Sequence, residues 1–360
     1  MSTHKEEGIS ALNQDFSKYD QVKKDQTYHL SETQDEAFDE VTKVKTCDMS
    51  QFFHGGEAGK DAFAKELGEA MEHLGFVVLE GHGVDADLYR QAEEKVTEFF
   101  ETTTLEERMK YLAKREGSVN QGYFPIKETT IIHPDLVEGW VFCRRAFNLD
   151  NDPNFKEDDF WPRPGFAPFF RKIVLAHEAL IKPIMQSILR YLKCDQTLYD
   201  QKFTGTNFGF RLNYYPVLTE TDLHSGGGRM LGHEDVDFFT ILPAQSVDGL
   251  QVLNRENMRW IRLTPPEGSI ILNTGDYMQR ITNDRLPSTT HRVGRPTQQS
   301  MYGRPRISIP MAVYVWEDEI LEVLPGLGQP KYEPISGIKF HTKITSKYYG
   351  DDYAVEKEDK

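Results

Sequence analysis

Gly232-His233-Glu234-Asp235-Val236-Asp237-Phe238-Phe239-Thr240-Ile241-Leu242 decides how this chain is read. An imidazole and a carboxylate two positions apart run straight into an apolar stretch of strand composition, Phe238 to Leu242. Side chains alternate faces along a strand, so His233 and Asp235 can point the same way. A second strand-like run, Ser269-Ile270-Ile271-Leu272, precedes Ser288-Thr289-Thr290-His291-Arg292-Val293, and His291 lies 291 − 235 = 56 positions beyond Asp235. Two imidazoles and one carboxylate can cap one face of an octahedral Fe(II), leaving three coordination positions for a co-substrate and dioxygen. There is a plain alternative, because a chain with 11 His and 57 acidic residues produces His-x-Asp triplets by chance. The flanking strand runs favour the metal reading.

A candidate anion site follows at Arg306-Ile307-Ser308, 306 − 291 = 15 residues after His291, at the opening of the strand-like run Ile307 to Tyr314. Arg306 and Ser308 share a strand face. A guanidinium fork with a hydroxyl beside it suits a carboxylate that the metal does not reach. A surface Arg beside a strand Ser is the alternative; position after the metal motifs weighs against it.

Taken in order, Arg211-Leu212-Asn213-Tyr214-Tyr215-Pro216, Gly232-His233-Glu234-Asp235, Asp248-Gly249-Leu250-Gln251-Val252, Asn273-Thr274-Gly275-Asp276, Ser288 to Val293 and Arg306-Ile307-Ser308 resemble the isopenicillin N synthase-like family of Fe(II)- and 2-oxoglutarate-dependent dioxygenases. The resemblance spans roughly residues 46 to 345. It implies an α+β fold with a double-stranded β-helix, or jelly-roll, core. It implies His233, Asp235 and His291 as iron ligands, Arg306 and Ser308 as the clamp on the distal carboxylate of 2-oxoglutarate, and Tyr215 and Asn213 as assisting residues. The implied reaction consumes 2-oxoglutarate and O2, releases succinate and CO2, and hydroxylates, desaturates or cyclises a small metabolite, as enzymes of secondary metabolism do.

Composition agrees with a cytoplasmic enzyme. The 360 residues are 38% hydrophobic and include 22 Phe and 16 Tyr, enough for a sizeable core. No apolar run approaches the roughly 20 residues of a membrane helix, and Met1-Ser2-Thr3-His4-Lys5-Glu6-Glu7 does not read as a signal peptide. Cys47, Cys143 and Cys194 are odd in number and scattered, which argues against a disulfide framework and for a reducing compartment. A net charge of −15 opposes nucleic-acid or anionic-membrane binding; the expected partner is a small molecule, and the expected state is a monomer or weak homodimer.

Four segments are expected. Residues 1–45 read as a polar, acidic extension, mobile or loosely docked and without chemistry; 46–200 as a helical and mixed region; 201–325 as the jelly roll; and 326–360 as a C-terminal segment and tail. Phe63, Leu67, Met71 and Leu74 recur at helical spacing until Gly75, before a strand Phe76 to Leu79. Leu88, Ala92, Val96 and Phe99 mark a second helix, Thr104-Leu105-Glu106-Glu107 a capping box, and Ala167 to Cys194 a long helix with a kink expected at Pro183. From Phe208 the pattern changes to short apolar runs at 209–218, 238–243, 249–254, 259–264, 269–275 and 307–317, a succession that predicts two facing antiparallel sheets. His82 in its Gly-His-Gly turn reads as structural, Arg280 as generic, and Ser225-Gly226-Gly227-Gly228 as a loop at the site mouth.

Substrate residues are nominated from the segment Gly122-Tyr123-Phe124 through Trp140-Val141-Phe142-Cys143-Arg144, with Tyr314 and Trp316 leaving the jelly roll nearby. Tyr123, Phe142, Tyr314 and Trp316 would form aromatic walls. Arg144 would then suit a carboxylated or amino-acid-like metabolite, the alternative being that these aromatics are core and Arg144 pairs with a carboxylate. Two rival functions share the motifs: an iron oxidase of the same fold that uses no 2-oxoglutarate, and a non-catalytic jelly-roll protein that binds a metal or small ligand.

Overall fold

Local sequence rules set the helical half of the molecule. The computed structural model describes residues 31–33, 35–116, 119–126, 135–149, 160–219 and 228–349. Helix Gly56–Leu74 buries Phe63, Leu67, Met71 and Leu74 along one side. It stops at Gly75, whose φ of +74° only glycine adopts without strain and whose N–H bonds the Met71 carbonyl. Helix Ala86–Thr102 is capped by Asp85, and the predicted capping box at Thr104 forms with Glu107. Helix Phe166–Tyr191 runs unbroken through Pro183, the Ser187 hydroxyl donating to the Pro183 carbonyl at 2.8 Å. His82 is structural as expected: Nε2 meets the Gly268 carbonyl at 2.9 Å, and Nδ1 accepts from Val84 N–H.

The strands are β1 (Thr46–Asp48), β2 (Phe76–Glu80), β3 (Lys114–Glu116), β4 (Val119–Phe124), β5 (Glu138–Phe142), β6 (Asn207–Tyr215), β7 (Met230–His233), β8 (Phe239–Pro243), β9 (Leu250–Asn254), β10 (Arg259–Arg262), β11 (Ile270–Thr274), β12 (His291–Val293), β13 (Arg306–Ser308) and β14 (Met311–Tyr314). Among the described residues one sheet runs β1-β2-β11-β8-β14-β6-β5-β4-β3, with β13 also on β6, and a smaller one runs β10-β9-β12-β7. These are the two layers of the expected jelly roll. Leu74, Phe76, Val78, Leu250, Val252, Ile261 and Ile271 pack between them, and the helices cover the other face of the large sheet through a core containing Phe63, Ile173, Ile184, Phe210 and Leu272.

One expectation needs correction here, and the described part of one segment is held by specific contacts. The run expected as one strand from 307 is two segments, because Pro310 has no N–H for the ladder; the register nevertheless carries through, Ser308 opposite Asn213 and Met311 opposite Phe210. The N-terminal extension also makes specific contacts. Asp39 N–H donates to the Trp260 carbonyl at 2.9 Å, and the Asn254 and Asn257 amides each donate to Asp39 Oδ2 at 2.8 Å, fastening this segment to the small sheet. Residues 1–30 of the extension, and Ser225, Gly226 and Gly227 of the glycine loop, lie outside the described residues.

Candidate active site

His291 and His233 face each other across the β12–β7 ladder, ring centroids 4.3 Å apart. Asp235 lies just past the end of β7. Strand alternation therefore does not place it; the turn toward β8 does. His233, Asp235 and His291 each offer a ligand atom, all within 4.8 Å of one another, and each imidazole Nε2 is 3.8 Å from an Asp235 oxygen. The two Nδ1 atoms sit on the Leu231 carbonyl at 2.8 Å and the Thr289 carbonyl at 3.2 Å. A carbonyl only accepts, so Nδ1 carries the proton and Nε2 keeps the lone pair a metal uses.

Asp235 is held from the large sheet. Its Oδ2 accepts from Thr240 Oγ1 on β8 at 2.7 Å and from Asn273 Nδ2 on β11 at 2.8 Å. Burial acts most strongly, to raise its pKa, yet the net displacement is downward because His291, His233 and those two hydrogen bonds favour the anion. Gly275 lets the chain pass: a Cβ there would lie 2.1 Å from Asp237 Oδ1 and 2.7 Å from the Asp235 carbonyl. Hence the Asn-Thr-Gly-Asp motif is both hydrogen-bond donor and clearance. Two neutral nitrogens and a carboxylate on one side of a shared centre are the donor set of a first-row divalent ion, so the residues fit Fe(II).

The second expected site forms on the facing strands. Arg306 pairs in register with Tyr215 and Ser308 with Asn213, and all four line the same cavity as the triad. Arg306 is fully buried; its Nη2 donates to Gln245 Oε1 at 2.7 Å, while Nε and Nη1 have no hydrogen-bond partner among the described residues. Asn213 Nδ2 donates to Ser308 Oγ at 3.2 Å. A buried cation with two unmatched donors beside a hydroxyl fits a carboxylate.

The cavity, about 380 Å³, places the substrate nominations differently. Tyr314 and Tyr123 line it, although the Tyr123 hydroxyl donates to Glu138 at 2.5 Å. Phe142 does not: it is fully buried, stacked on Phe210 with centroids 4.9 Å apart, and belongs to the core under the helices. Arg144 turns away to Glu178 at 2.6 Å. Trp316 donates its Nε1 proton to the Gly205 carbonyl at 2.7 Å beyond the end of β14 and lies outside the cavity lining.

Residues not nominated take their places. Arg211 lines the cavity on the face shared by Asn213 and Tyr215, a position that alternation along β6 made readable. Asp135, whose Oδ1 accepts from Leu231 N–H at 2.9 Å, is pushed up to about 7 by burial, against the pull of that bond and of Arg211. His341 and Thr345 enter the lining from helix Gly337–Tyr349, within the segment read as a tail. No local signal marks them, nor Gln245.

Known proteins match this arrangement along most of the chain. Residues 44–164 match the non-haem dioxygenase in morphine synthesis N-terminal family, and residues 206–313 match the 2OG-Fe(II) oxygenase superfamily. A bi-functional coumaroyl CoA and feruloyl CoA ortho-hydroxylase of Ruta graveolens is 30% identical over 280 residues, 75% of this chain and 72% of the relative. A 2-oxoglutarate-Fe(II) type oxidoreductase of Metarhizium majus is 29% identical over 329 residues, 82% of this chain and 84% of its own. Among solved structures, a full-length Neurospora crassa protein crystallised in complex with alpha-KG and thymine superposes with a TM-score of 0.75 at 24% identity, covering 89% of this chain and 100% of that one. That last likeness is one of fold.

Proposed function

The chain belongs to the 2OG-Fe(II) oxygenase superfamily, an oxidoreductase family using Fe(II), 2-oxoglutarate and O2, and on that premise we propose which of its residues do the work. His233, Asp235 and His291 hold the iron; Arg306 and Ser308 hold the distal carboxylate of 2-oxoglutarate, with Tyr215 and Asn213 shaping that end. When bound, iron and 2-oxoglutarate supply the oxidising equivalent from O2, with succinate and CO2 as by-products. The protein's part is placement. The Leu231 and Thr289 carbonyls orient the imidazoles, Thr240 and Asn273 keep Asp235 ionised, and the buried Arg306 fixes the co-substrate's far end. The observation that carries this reading is one cavity lined by both the triad and a buried guanidinium with two unmatched donors.

The metabolite is small. A cavity of about 380 Å³, shared with the co-substrate, suits a compact molecule with an apolar body against Phe76, Phe124 and Val137. Arg211 lines this cavity and Arg144 does not, so an acidic or hydrogen-bond-accepting group on the metabolite is placed toward Arg211. We further place the protein in a reducing compartment such as the cytoplasm, a reading supported by three cysteines that form no disulfide. No helix of the described residues is long and apolar enough to cross a membrane.

The test is a metabolite screen on anaerobically iron-loaded protein, exposed to oxygen with 2-oxoglutarate and read as substrate-dependent succinate by mass spectrometry. Oxidised product without succinate would transfer the protein to the iron oxidases of the same fold. Failure of His291→Ala to abolish turnover would remove the triad assignment.

A further inference from the structure

Arg292 follows His291 and points the other way. Strand alternation turns His291 and Val293 into the cavity and sends Arg292 to the outer face of the small sheet. There it is fully buried, its guanidinium 3.9 Å from the Trp260 ring centroid, its Nε donating to Gln251 Oε1 at 2.7 Å and its Nη2 paired with Glu36. Glu32 secures the same patch, accepting from Gln251 Nε2 at 2.8 Å and from Arg295 N–H at 2.7 Å, over Gly294, where a Cβ would lie 2.1 Å from the Glu32 carboxylate. Both acids come from the N-terminal arm, ahead of residue 44, where the match to the N-terminal family begins.

We propose that this acidic arm positions the second metal-facing histidine: Glu36 holds Arg292, and Arg292 fixes the rotation of β12 that aims His291 at the centre shared with His233 and Asp235. The inference rests on the triad being the metal site. A guanidinium withdrawn from water needs an anion; Gln251 is neutral, Glu36 supplies the direct pair and Glu32 acts on it without one. Without Glu36 the guanidinium loses its directly paired anion, and its hold on β12 loosens. Because β12 has three residues, each paired to β7 or β9, that rotation passes directly to the His291 backbone. Glu36, Glu32 and Arg292 are positioning residues that touch neither metal nor substrate.

The test uses the full-length protein and Co(II) as probe, titrated by its visible ligand-field bands, with thermal unfolding followed in parallel. Removal of a hydrogen-bond partner behind a metal ligand typically weakens metal binding 10- to 100-fold, and one bond further out Glu36→Ala should weaken Co(II) about three- to tenfold and shift the bands. Glu36→Gln, which keeps shape and loses charge, should fall between Ala and wild type and guards against misfolding. Glu40→Gln, in the same arm but paired at 3.6 Å with Arg262 at the surface, should bind as wild type. Wild-type affinity and bands in Glu36→Ala would overturn the inference even if its melting temperature falls, as would an equal loss in Glu40→Gln. If wild type and His291→Ala bind Co(II) alike, the metal-site reading itself fails and this inference with it.

Discussion

Arg306→Met should move two measurements in opposite directions. Arg306 carries two donors, Nε and Nη1, with no partner among the described residues, and its remaining bond goes to neutral Gln245. Hydrogen bonds to charged groups contribute about 1.5–3 kcal/mol each, so losing a bidentate contact with a carboxylate costs about 3 kcal/mol or more. At about 1.4 kcal/mol per tenfold, that weakens 2-oxoglutarate roughly 100-fold. Stability responds with the other sign. A buried cation without a carboxylate partner is a burden on the apoprotein, and an apolar side chain of similar length in its place is often neutral or stabilising by about 1–4 kcal/mol. Removing Nη2 strands Gln245 Oε1, an opposing cost of about 1–3 kcal/mol, so the apoprotein should hold or slightly raise its midpoint. Arg306→Lys should lose about tenfold in affinity, since it keeps a point charge without the fork. Anaerobic calorimetric titration of 2-oxoglutarate into metal-loaded protein reads the first quantity, and urea unfolding of the apoprotein the second. Binding of 2-oxoglutarate by Arg306→Met within threefold of wild type would refute the clamp. An apoprotein destabilised by more than about 3 kcal/mol would show instead that Arg306 is a structural cation.

Other positions test the remaining assignments. Replacing His233, Asp235 or His291 with Ala should abolish metal-dependent succinate release while leaving the circular dichroism of the fold in place; ferrous affinity equal to wild type in any of them would sink that ligand. Phe142→Ala, which removes a ring stacked at 4.9 Å on Phe210, should cost about 3–5 kcal/mol in urea and leave the ratio of succinate to oxidised product unchanged. Uncoupling without destabilisation would return Phe142 to the pocket. Asp135, at about 7 in the folded protein against an ordinary carboxylate value of 3.8, binds its proton more tightly folded than unfolded. Its contribution to stability is therefore full below pH 3.8 and is lost as pH rises through 7, with a slope of up to about 1.4 kcal/mol per pH unit. Asp135→Asn, which can still accept from Leu231 N–H, should flatten that slope between pH 4 and 7; an unchanged profile would place the proton elsewhere.

The jelly roll and the two histidines were legible because they rest on local periodicity, strands of period two separated by turn residues with histidines at strand positions, whereas Asp235 was legible only through its spacing from His233 and is placed by the turn toward β8. Parity was harder. Strand β5 is buried on both faces, so its run Trp140-Val141-Phe142 is apolar at every position and gives no inward or outward signal. Register settles it. Val141 lies opposite Arg211 and lines the cavity, whereas Phe142 lies opposite Phe210 and faces the helices. Arg211 could have been found by counting in twos from Asn213. Arg144 and Trp316 sit past the strand ends at Phe142 and Tyr314, where alternation no longer holds, and tertiary partners claim them instead. The contributions of His341 and Thr345 depend on where helix Gly337–Tyr349 docks, which no local pattern encodes.

The donor set is divided between layers. His233 and His291 stand on neighbouring strands of the small sheet, while Asp235 is tied through Thr240 and Asn273 to β8 and β11 of the large one. An ion at their common centre would thus be a further cross-link between two sheets already joined by the Asp235 hydrogen bonds and by apolar packing. Any parting of the layers stretches nitrogen–metal bonds against an oxygen held from the opposite side. Separation of the layers and occupancy of their centre would in that sense be one equilibrium.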